Sequence, residues 1–323
     1  MKAAYINKTG DSKEIIVGDL PTPNMNRDEV LVKVEAVSVN HVDTFVRAGS
    51  YKTKKNFPFV IGRDAVGTVV EVGAAVTNFS KGVSVWTNSM GYDGRQGVTS
   101  EYAVIPADRL YHLPAGVDPI QAVASVHSSA TAAILINDIF EAQPEKTILI
   151  EGAAGHVGKK LVQIAHTMNL RVITTSNERD FGTLDALGSD YQLDYKKSLH
   201  KQLEKHNISG VDYAVDTSGK VELEDNLDAL KQGGIVGVIT APKDNKFTLS
   251  VRQFYTQAKR IEGFVISHAT TEQLLNAAKL LNQRMADGFL LEDPVLTKKI
   301  DDAAWAHRQL EKNVVKERVV LTM

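Results

Sequence analysis

The stretch "ILIEGAAGHVGKKLVQIA", residues 148–165, decides the fold of this chain. Its first residues are apolar and predict a buried strand, and a run of small residues follows. Val157, Leu161, Ile164 and Ala165 then recur at helical spacing. A strand, a glycine turn and a helix in this order are typical of a βαβ unit. The N-terminus of such a helix carries unpaired N–H groups and partial positive charge, which favour a bound phosphate.

The glycine turn is an imperfect dinucleotide fingerprint. Ala153 stands where the G-x-G-x-x-G pattern begins, whereas Gly155 and Gly158 hold its other two places. Gly155 would let the backbone approach a pyrophosphate, and Gly158 would let the helix pack closely on the strand. The alternative is a small-residue turn without a ligand. The predicted phosphate site consists of Gly152, Ala153, Gly155, His156, Val157 and Gly158.

Strand-like segments alternate with helical segments around this turn. The six predicted strands are 147–150, 171–175, 191–193, 211–215, 235–239 and 261–265. Six strands with helical crossovers predict an α/β fold with a doubly wound parallel sheet. Gly188, and Gly233 with Gly234, follow helical segments and are predicted to end them.

The first third of the chain has a different pattern. Apolar and polar residues alternate in "EVLVKVEAVSVN" (29–40) and "GTVVEVG" (67–73), which predicts half-buried antiparallel strands. After residue 265 the chain continues with an amphipathic helix over 271–285 and a strand over 317–323. We therefore expect two domains. The predicted domains are 1–119 with 266–323, which is β-rich, and 120–265, which binds the dinucleotide.

Composition narrows the class of function. With 43% hydrophobic and 24% charged residues, the 323-residue chain has the composition of an ordinary globular protein. Its net charge of −2 favours neither nucleic acid nor an anionic membrane as partner, so we expect a small-molecule ligand. The absence of cysteine excludes disulfides and thiolate chemistry. The N-terminus lacks a signal-peptide pattern and the longest apolar tract, 122–136, is shorter than a membrane span, so we expect a cytoplasmic protein.

The end of the second predicted strand indicates which dinucleotide binds. NAD-binding proteins usually place Asp or Glu there to bind the ribose 2′-hydroxyl. In "TTSNERD" (174–180), Ser176 occupies that place, and Asn177 and Arg179 follow as donors for a 2′-phosphate. The sequence therefore predicts NADPH, while Glu178 and Asp180 keep NADH open as the alternative.

Several longer segments carry a resemblance to a known family. They are "SVNHVDTFVRAGSY" (38–51), "PFVIGRDAVGTVVEVG" (58–73), "GVDYAVDTSG" (210–219) and "LKQGGIVGVI" (230–239), together with the glycine turn. Nearly end to end, the chain resembles the medium-chain dehydrogenase/reductase superfamily, and within it the zinc-free quinone oxidoreductases related to ζ-crystallin. The resemblance implies a GroES-like catalytic domain, a Rossmann domain and a cofactor cleft where they meet. It also implies a homodimer that pairs through the edge strand in 260–268.

The positions of the zinc ligands in this superfamily hold other residues here. The zinc alcohol dehydrogenases use Cys, a His-Glu pair and a second Cys. By resemblance, Asn40 stands at the first Cys, Arg63 and Asp64 replace His-Glu, and His127 falls near the second Cys. A catalytic zinc needs three protein ligands, so we expect no metal, and His127 is predicted to be a hydrogen-bonded wall residue.

An enzyme of this kind without zinc would reduce acceptors that take hydride readily, since no Lewis acid polarises an alcohol. Quinones are the predicted substrates, with conjugated enals or enones as the alternative. By resemblance, Asn40, Asp43 and Tyr51 line the substrate side, although Asn40 and Asp43 as helix caps and Tyr51 as a packing aromatic fit equally.

The resemblance also assigns residues on the cofactor side. Thr131 is expected beneath the nicotinamide, Tyr195 beside the adenosine, and Thr240 at the end of the fifth strand. Some ζ-crystallin relatives bind RNA or act as scaffolds. A non-enzymatic role of this kind is therefore the alternative to an oxidoreductase. In the loop 88–102, Tyr92 and Arg95 are candidates for substrate selection, with a solvated surface loop as the other interpretation.

Overall fold

The structure, a computed structural model, describes residues 1–323 and divides into two compact units. The β-rich unit comprises Met1–His127 and Leu274–Met323, and the α/β unit comprises Ser128–Gln273. The predicted domain boundaries lay at 119/120 and 265/266. Residues just beyond the first of them belong to the β-rich unit, where Ala124 O accepts a hydrogen bond from Arg318 Nε at 2.8 Å.

Sixteen strands and nine α-helices make up the fold. The strands are β1 (Lys2–Ile6), β2 (Ile16–Asp19), β3 (Glu29–Ser38), β4 (Phe59–Val60), β5 (Asp64–Val72), β6 (Ser84–Thr87), β7 (Tyr102–Pro106), β8 (Tyr111–His112), β9 (Thr147–Glu151), β10 (Arg171–Ser176), β11 (Tyr191–Asp194), β12 (Val211–Asp216), β13 (Leu230–Val238), β14 (Arg260–Gly263), β15 (Val295–Lys299) and β16 (Arg318–Thr322). The helices are α1 (His41–Ala48), α2 (Pro119–Ile134), α3 (His156–Thr167), α4 (Phe181–Ala186), α5 (Leu199–Lys205), α6 (Leu223–Ala229), α7 (Val251–Thr256), α8 (Thr271–Ala286) and α9 (Ala303–Glu311).

The α/β unit contains the predicted doubly wound sheet. Its six strands are parallel, in the order β11-β10-β9-β12-β13-β14. Strands that follow β9 in sequence are first added on one side of it, and from β12 onward they are added on the other side, so the reversal in strand order lies between β9 and β12. In β9, Ile148, Leu149 and Ile150 are fully buried, which explains the apolar run that opens the quoted stretch. A reversal of this kind leaves a crevice at the carboxyl ends of the central strands, where ligands of such sheets bind. The predicted fold class is confirmed.

The β-rich unit is built from antiparallel strands, as the alternating pattern predicts. A seven-stranded sheet has the order β15-β16-β3-β5-β6-β8, with β7 also paired to β3, and β2-β1-β4 form a small second sheet. Within the larger sheet only β15 and β16 run parallel. The inward-facing residues Val30, Val32 and Val34 of β3 are buried in its core, which continues into α9.

One predicted helix end is wrong. Gly188 has a left-handed φ of 101° just after α4, as a helix-ending glycine should. In contrast, α6 already ends at Ala229, and Gly233 lies inside β13 with a φ of 75°. The pairing register between β12 and β13 shifts between Val211 and Tyr213. Gly233 therefore accommodates an irregular strand start rather than a helix cap.

The apolar tract predicted to be too short for a membrane forms α2 and its π-helical continuation to Ile139. This segment is long and apolar enough to cross a membrane by length and composition, yet 78% of its most apolar window is buried inside the protein. Burial of this kind is typical of a core helix, as the small buried residues Ala130, Ala132 and Ala133 also indicate.

A buried basic pair links α1 to α9. Arg47 is fully buried and forms an ion pair with Glu311, and His307 lies beside it, 1% exposed. Burial and the Arg47 charge lower the pKa of His307 from 6.5 to about 3. The unfolded chain therefore takes up a proton below pH 6.5 that the folded chain does not accept.

This pair predicts an acid-sensitive fold. The contribution of His307 to stability is complete above pH 6.5 and is lost as the pH falls toward 3, by about 1.4 kcal/mol per pH unit. We expect His307→Gln to flatten this dependence, whereas His200→Gln, at a side chain 82% exposed, leaves it unchanged. Urea unfolding followed by tryptophan fluorescence measures this in the β-rich unit, which contains both Trp86 and Trp305. Equal pH slopes in wild type and His307→Gln would contradict the prediction.

Candidate functional site

The three glycines of the turn after β9 have different surroundings: two are closely packed and one is not. Gly152 has a φ of 68°, and a Cβ there would lie 2.9 Å from Thr217 Oγ1, so glycine is required. A Cβ on Gly158 would lie 2.6 Å from Ala153 Cα, so this glycine permits close packing of α3 on the turn. A Cβ on Gly155 would approach only Gly152 O, at 3.2 Å. Of these three glycines, Gly155 is therefore the one that faces open space.

A cavity of about 420 Å³ lies at the carboxyl ends of β9, β10, β11 and β12. We name it the strand-end cavity. It is lined by Glu151, Gly152, Ala154, Gly155, Thr175, Ser176, Asn177, Asp194, Tyr195, Lys197, Ser198, Leu199, Gln202, Ser218, Lys220, Val221, Glu222 and Asp225. This is the crevice at which a doubly wound sheet binds its ligand.

The strand-end cavity brings together part of the predicted cofactor set. The predicted residues that line it are Gly152, Gly155, Ser176, Asn177 and Tyr195. The predicted residues outside its lining are Thr131, Ala153, His156, Val157, Gly158, Arg179 and Thr240. Thr240 lines a separate cavity of about 140 Å³ beyond β13, and Thr131 is buried on α2.

The end of β10 contributes polar groups and no acid to the strand-end cavity. Ser176 is buried, and its hydroxyl donates to Asn177 O at 3.1 Å. The Asn177 side chain caps a short 3₁₀ helix by accepting from Arg179 N at 3.2 Å. The Arg179 side chain is 70% exposed, and its Nε lies 3.7 Å from Asp180 Oδ2. Ser176 and Asn177 thus face the cavity, whereas Arg179 lies outside its lining.

Sequence reasoning missed three polar residues of this cavity. Lys197 Nζ lies 2.8 Å from Glu178 Oε1 and 3.2 Å from Asp194 Oδ2. Ser218 and Lys220 follow β12 in the loop that Asp216 organises by accepting from Ser218 N and Gly219 N. The signal for all three was their position just after parallel strands, since the carboxyl ends of such strands meet at one edge.

The strand-end cavity fits a dinucleotide phosphate. Gly155 stands as the N-cap of α3, so the first N–H groups of that helix have no helical acceptor. The open space before Gly155 admits a ligand against the backbone, and Lys197 and Lys220 supply positive charge nearby. Because the acids Glu151, Asp194, Glu222 and Asp225 also line the cavity, the groups that suit a phosphate are the helix N-terminus and the two lysines.

The three predicted substrate residues lie in the β-rich unit, beside a buried polar network. Asn40 Nδ2 donates to Asp64 Oδ2 at 2.6 Å and to Ser38 Oγ at 3.2 Å, and its Oδ1 accepts from Arg318 at 2.9 Å. Both N–H donors of this amide are thus used by the protein, and its oxygen already accepts one hydrogen bond. Asn40 consequently positions its neighbours and has no spare donor for a substrate oxygen.

Asp43 holds the start of α1. Its Oδ2 accepts from Asn40 N at 2.8 Å, which is the cap that the alternative interpretation predicts. Asp43 is buried, and burial, with the nearby Asp64 charge, raises the pKa of its carboxyl to about 7. Arg63 and Arg318 oppose this rise. Near neutral pH the Asp43 carboxyl is therefore only partly ionised, beside the buried Arg63 and Arg318.

Tyr51 is only partly buried and stacks on Tyr92, with ring centroids 5.6 Å apart. The Tyr51 hydroxyl is buried and has no hydrogen-bond partner in the protein, and burial raises the pKa of Tyr92. Arg63 lies over the Tyr92 ring at 5.6 Å. The loop residue Tyr92 thus joins Tyr51 to the buried network. Tyr51 is the member of the predicted substrate set with a side-chain donor that no protein group uses.

The residues at the zinc positions contact one another in the folded protein. Asn40 and Asp64 bond to each other, His127 Nδ1 lies 3.3 Å from Asp64 Oδ1, and the buried Arg63 guanidinium adjoins them. No group of three or more His, Asp or Glu side chains is arranged to hold a metal ion. A buried guanidinium at this place also opposes a cation.

Comparisons with known proteins agree with this architecture. Residues 26–115 match the family model described as "Alcohol dehydrogenase GroES-like domain", and residues 157–282 match "Zinc-binding dehydrogenase". A quinone oxidoreductase of Sus scrofa is 28% identical over 96% of this chain and 94% of its own. A zinc-type alcohol dehydrogenase-like protein of Staphylococcus epidermidis is 32% identical over 74% of this chain and 72% of its own.

A solved structure extends the comparison to the whole fold. A mycobacterial protein in complex with NADPH has a TM-score of 0.83 and 26% identity, with both chains covered completely. The two family models, these relatives and the presence of both a doubly wound sheet and a β-rich unit lead to one conclusion. The chain belongs to the medium-chain dehydrogenase/reductase superfamily of oxidoreductases, in the branch of the zinc-free quinone oxidoreductases.

Proposed function

We propose that the protein is an NADPH-dependent oxidoreductase that reduces a quinone without zinc. The observation that carries the proposal is the strand-end cavity, in which the glycine turn meets a β10 end that presents Ser176 and Asn177 in place of an acid. A quinone oxidoreductase among the relatives and a bound NADPH in the mycobacterial structure support it. We also propose that the enzyme acts in the cytoplasm.

On the nucleotide side, the residues of the chain bind the dinucleotide and orient it. The N-terminus of α3 and the open Gly155 receive the pyrophosphate, and Ser176 and Asn177 receive the 2′-phosphate. Tyr195, which is 53% exposed and lines the cavity, covers the adenosine. When bound, the reduced nicotinamide supplies a hydride. The protein places that group and excludes water from it.

On the substrate side, Tyr51 supplies the hydrogen bond. A quinone oxygen gains negative charge as the ring is reduced, and a positioned hydroxyl stabilises that charge. The Tyr51 hydroxyl has no partner in the protein and can donate, whereas both N–H donors of the Asn40 amide are already used. Asn40, Asp43 and Arg63 therefore fix the start of α1 and the Tyr51–Tyr92 pair rather than touch the substrate.

We infer zinc independence from the kinds of side chain at the positions of the zinc ligands. The side chains at the zinc positions are an amide, a guanidinium and a carboxylate already bound to its neighbours. Zinc prefers thiolate and imidazole ligands in a tetrahedral set, which these residues do not provide. We expect turnover to survive dialysis against a chelator.

Loss of the Tyr51 hydroxyl should slow the reaction. In Tyr51→Phe the ring still stacks on Tyr92, but the donor to the developing oxyanion is gone, so we expect kcat to fall about tenfold or more. The affinity for NADPH should not change, because Tyr51 does not line the strand-end cavity. Tyr92→Phe is the matched control, since it removes the neighbouring hydroxyl from the same stack. A full kcat in Tyr51→Phe would leave Tyr51 as a packing aromatic only.

The function is tested by NADPH oxidation with a simple benzoquinone or naphthoquinone, beside NADH and beside a conjugated enal. Quinone-dependent turnover that prefers NADPH supports the proposal. Turnover of the enal alone would make the protein an enone or enal reductase. NADPH binding without turnover of either acceptor would favour a binding or scaffold role.

The same proposal includes a homodimer. β14 is the edge strand of the parallel sheet, because it pairs with β13 only. An open strand edge favours pairing with a second copy. Sedimentation equilibrium tests this, and a monomer at all concentrations would contradict it.

A further inference from the structure

Glu151 is a carboxyl residue in an unusual place. It is the last residue of β9, directly before Gly152, and it is 3% exposed although it lines the strand-end cavity. Its Oε2 has no hydrogen-bond partner, and the same is true of Thr175 Oγ1, its register partner on β10. A buried carboxylate without a partner is costly, so its protonation state matters to the site.

The groups around Glu151 are neutral or negative. From β12 its register partner is Asp216, and from α6 it faces Asp225 and the amide of Asn226. β10 contributes Thr175, which carries no charge. α3 packs on β9 and carries His156, Lys159 and Lys160 in its first turns, and none of these is among the charges that shift the carboxyl. No basic group therefore favours the ionised form of Glu151.

This setting holds a proton on the carboxyl. Burial first, and then Asp216 and Asp225, raise the pKa of Glu151 to about 8, although the Asn226 amide opposes this rise. The apo protein near neutral pH thus has an uncharged acid at the base of a cavity that fits phosphates. Ionised at higher pH, the same group would repel a nucleotide in that cavity.

We propose that Glu151 is a residue of the cofactor site that couples dinucleotide binding to its own proton, so that the nucleotide binds the form with a neutral Glu151. The proposal rests on the proposed function, because it needs NADPH in the strand-end cavity. The carboxyl is buried between Thr175, Asp216 and Asn226, and no cation is among the groups that act on its charge. Above the pKa of Glu151, binding therefore takes up a proton.

The first test uses the protein without cofactor. Between pH 4.5 and about 8 the unfolded carboxyl is ionised while the folded one keeps its proton, so the folded state loses stability as the pH rises. Glu151→Gln removes this cost, and its Tm advantage over wild type should grow across that range. Glu222→Gln, at an exposed acid of the same cavity, should show no such trend. A constant Tm difference for Glu151→Gln would overturn the buried proton.

The second test measures NADPH binding by its fluorescence between pH 7 and pH 9. If only the neutral form binds, the wild-type Kd should rise about tenfold over this range, whereas that of Glu151→Gln should stay flat. Glu222→Gln, which removes an exposed acid of the same cavity, should keep the wild-type tenfold rise across this range whatever its absolute Kd. A wild-type slope retained in Glu151→Gln, or pH-independent wild-type binding, would overturn this proposal alone. Absence of NADPH binding at every pH would overturn the proposed function as well.

Discussion

Gly155→Asp is expected to abolish NADPH binding while leaving the fold intact. Gly155 is the N-cap of α3, with a φ of −75° that any residue adopts, and a Cβ there meets only Gly152 O at 3.2 Å. Aspartate is a preferred N-cap residue, so the variant should fold with wild-type or higher stability. Its carboxylate would occupy the space assigned to the pyrophosphate. Repulsion of several kcal/mol there corresponds to a loss in affinity of about 100-fold or more.

A pair of variants separates charge from bulk in this experiment. Gly155→Asn has nearly the same shape and cap chemistry as Gly155→Asp but carries no charge, so it should bind NADPH more tightly than the aspartate variant. Calorimetric unfolding confirms that both variants are folded, and fluorescence titration gives Kd. Wild-type affinity in Gly155→Asp would show that the pyrophosphate does not lie at this turn.

The second large effect concerns the choice of nucleotide. Asn177→Asp preserves the shape of the side chain and its cap on the 3₁₀ helix, but it adds a negative charge to the cavity lining beside Ser176. NADPH affinity should fall about 10- to 100-fold, because the 2′-phosphate meets a like charge, whereas NADH affinity should stay nearly constant.

Arg179→Gln is the control for this variant. Its guanidinium is exposed, lies near Asp180 and is outside the cavity lining, so its removal should weaken NADPH binding less than Asn177→Asp does. The ratio of the two dissociation constants, NADPH to NADH, is the measured quantity. An unchanged ratio in Asn177→Asp would remove the assignment of the 2′-phosphate to the end of β10.

The parallel sheet could be predicted because its signals are local. The buried run Ile148–Ile150, the glycine turn and the helical spacing after it each depend on neighbouring residues only. The prediction that Gly233 ends a helix was wrong for the opposite reason. It looks like a helix cap in the sequence, but the pairing of β12 with β13 decides its place, and that pairing is a tertiary contact.

The buried polar network could not be predicted in detail. The amide of Asn40 is hydrogen-bonded to Asp64 and to Arg318, which lies 278 residues away along the chain. Sequence reasoning assigned Asn40 as a donor to substrate because it could not count these bonds. Glu151 was missed in the same way, since its carboxyl is notable only for its burial and its acidic neighbours in the folded protein.

A crystal structure with NADPH bound tests the central claim most directly, which is that the strand-end cavity is the NADPH site. We expect the pyrophosphate at the N-terminus of α3 beside Gly155, and the 2′-phosphate within hydrogen-bond distance of Ser176 or Asn177. A nucleotide bound outside this cavity, or a 2′-phosphate that contacts neither Ser176 nor Asn177, would contradict it.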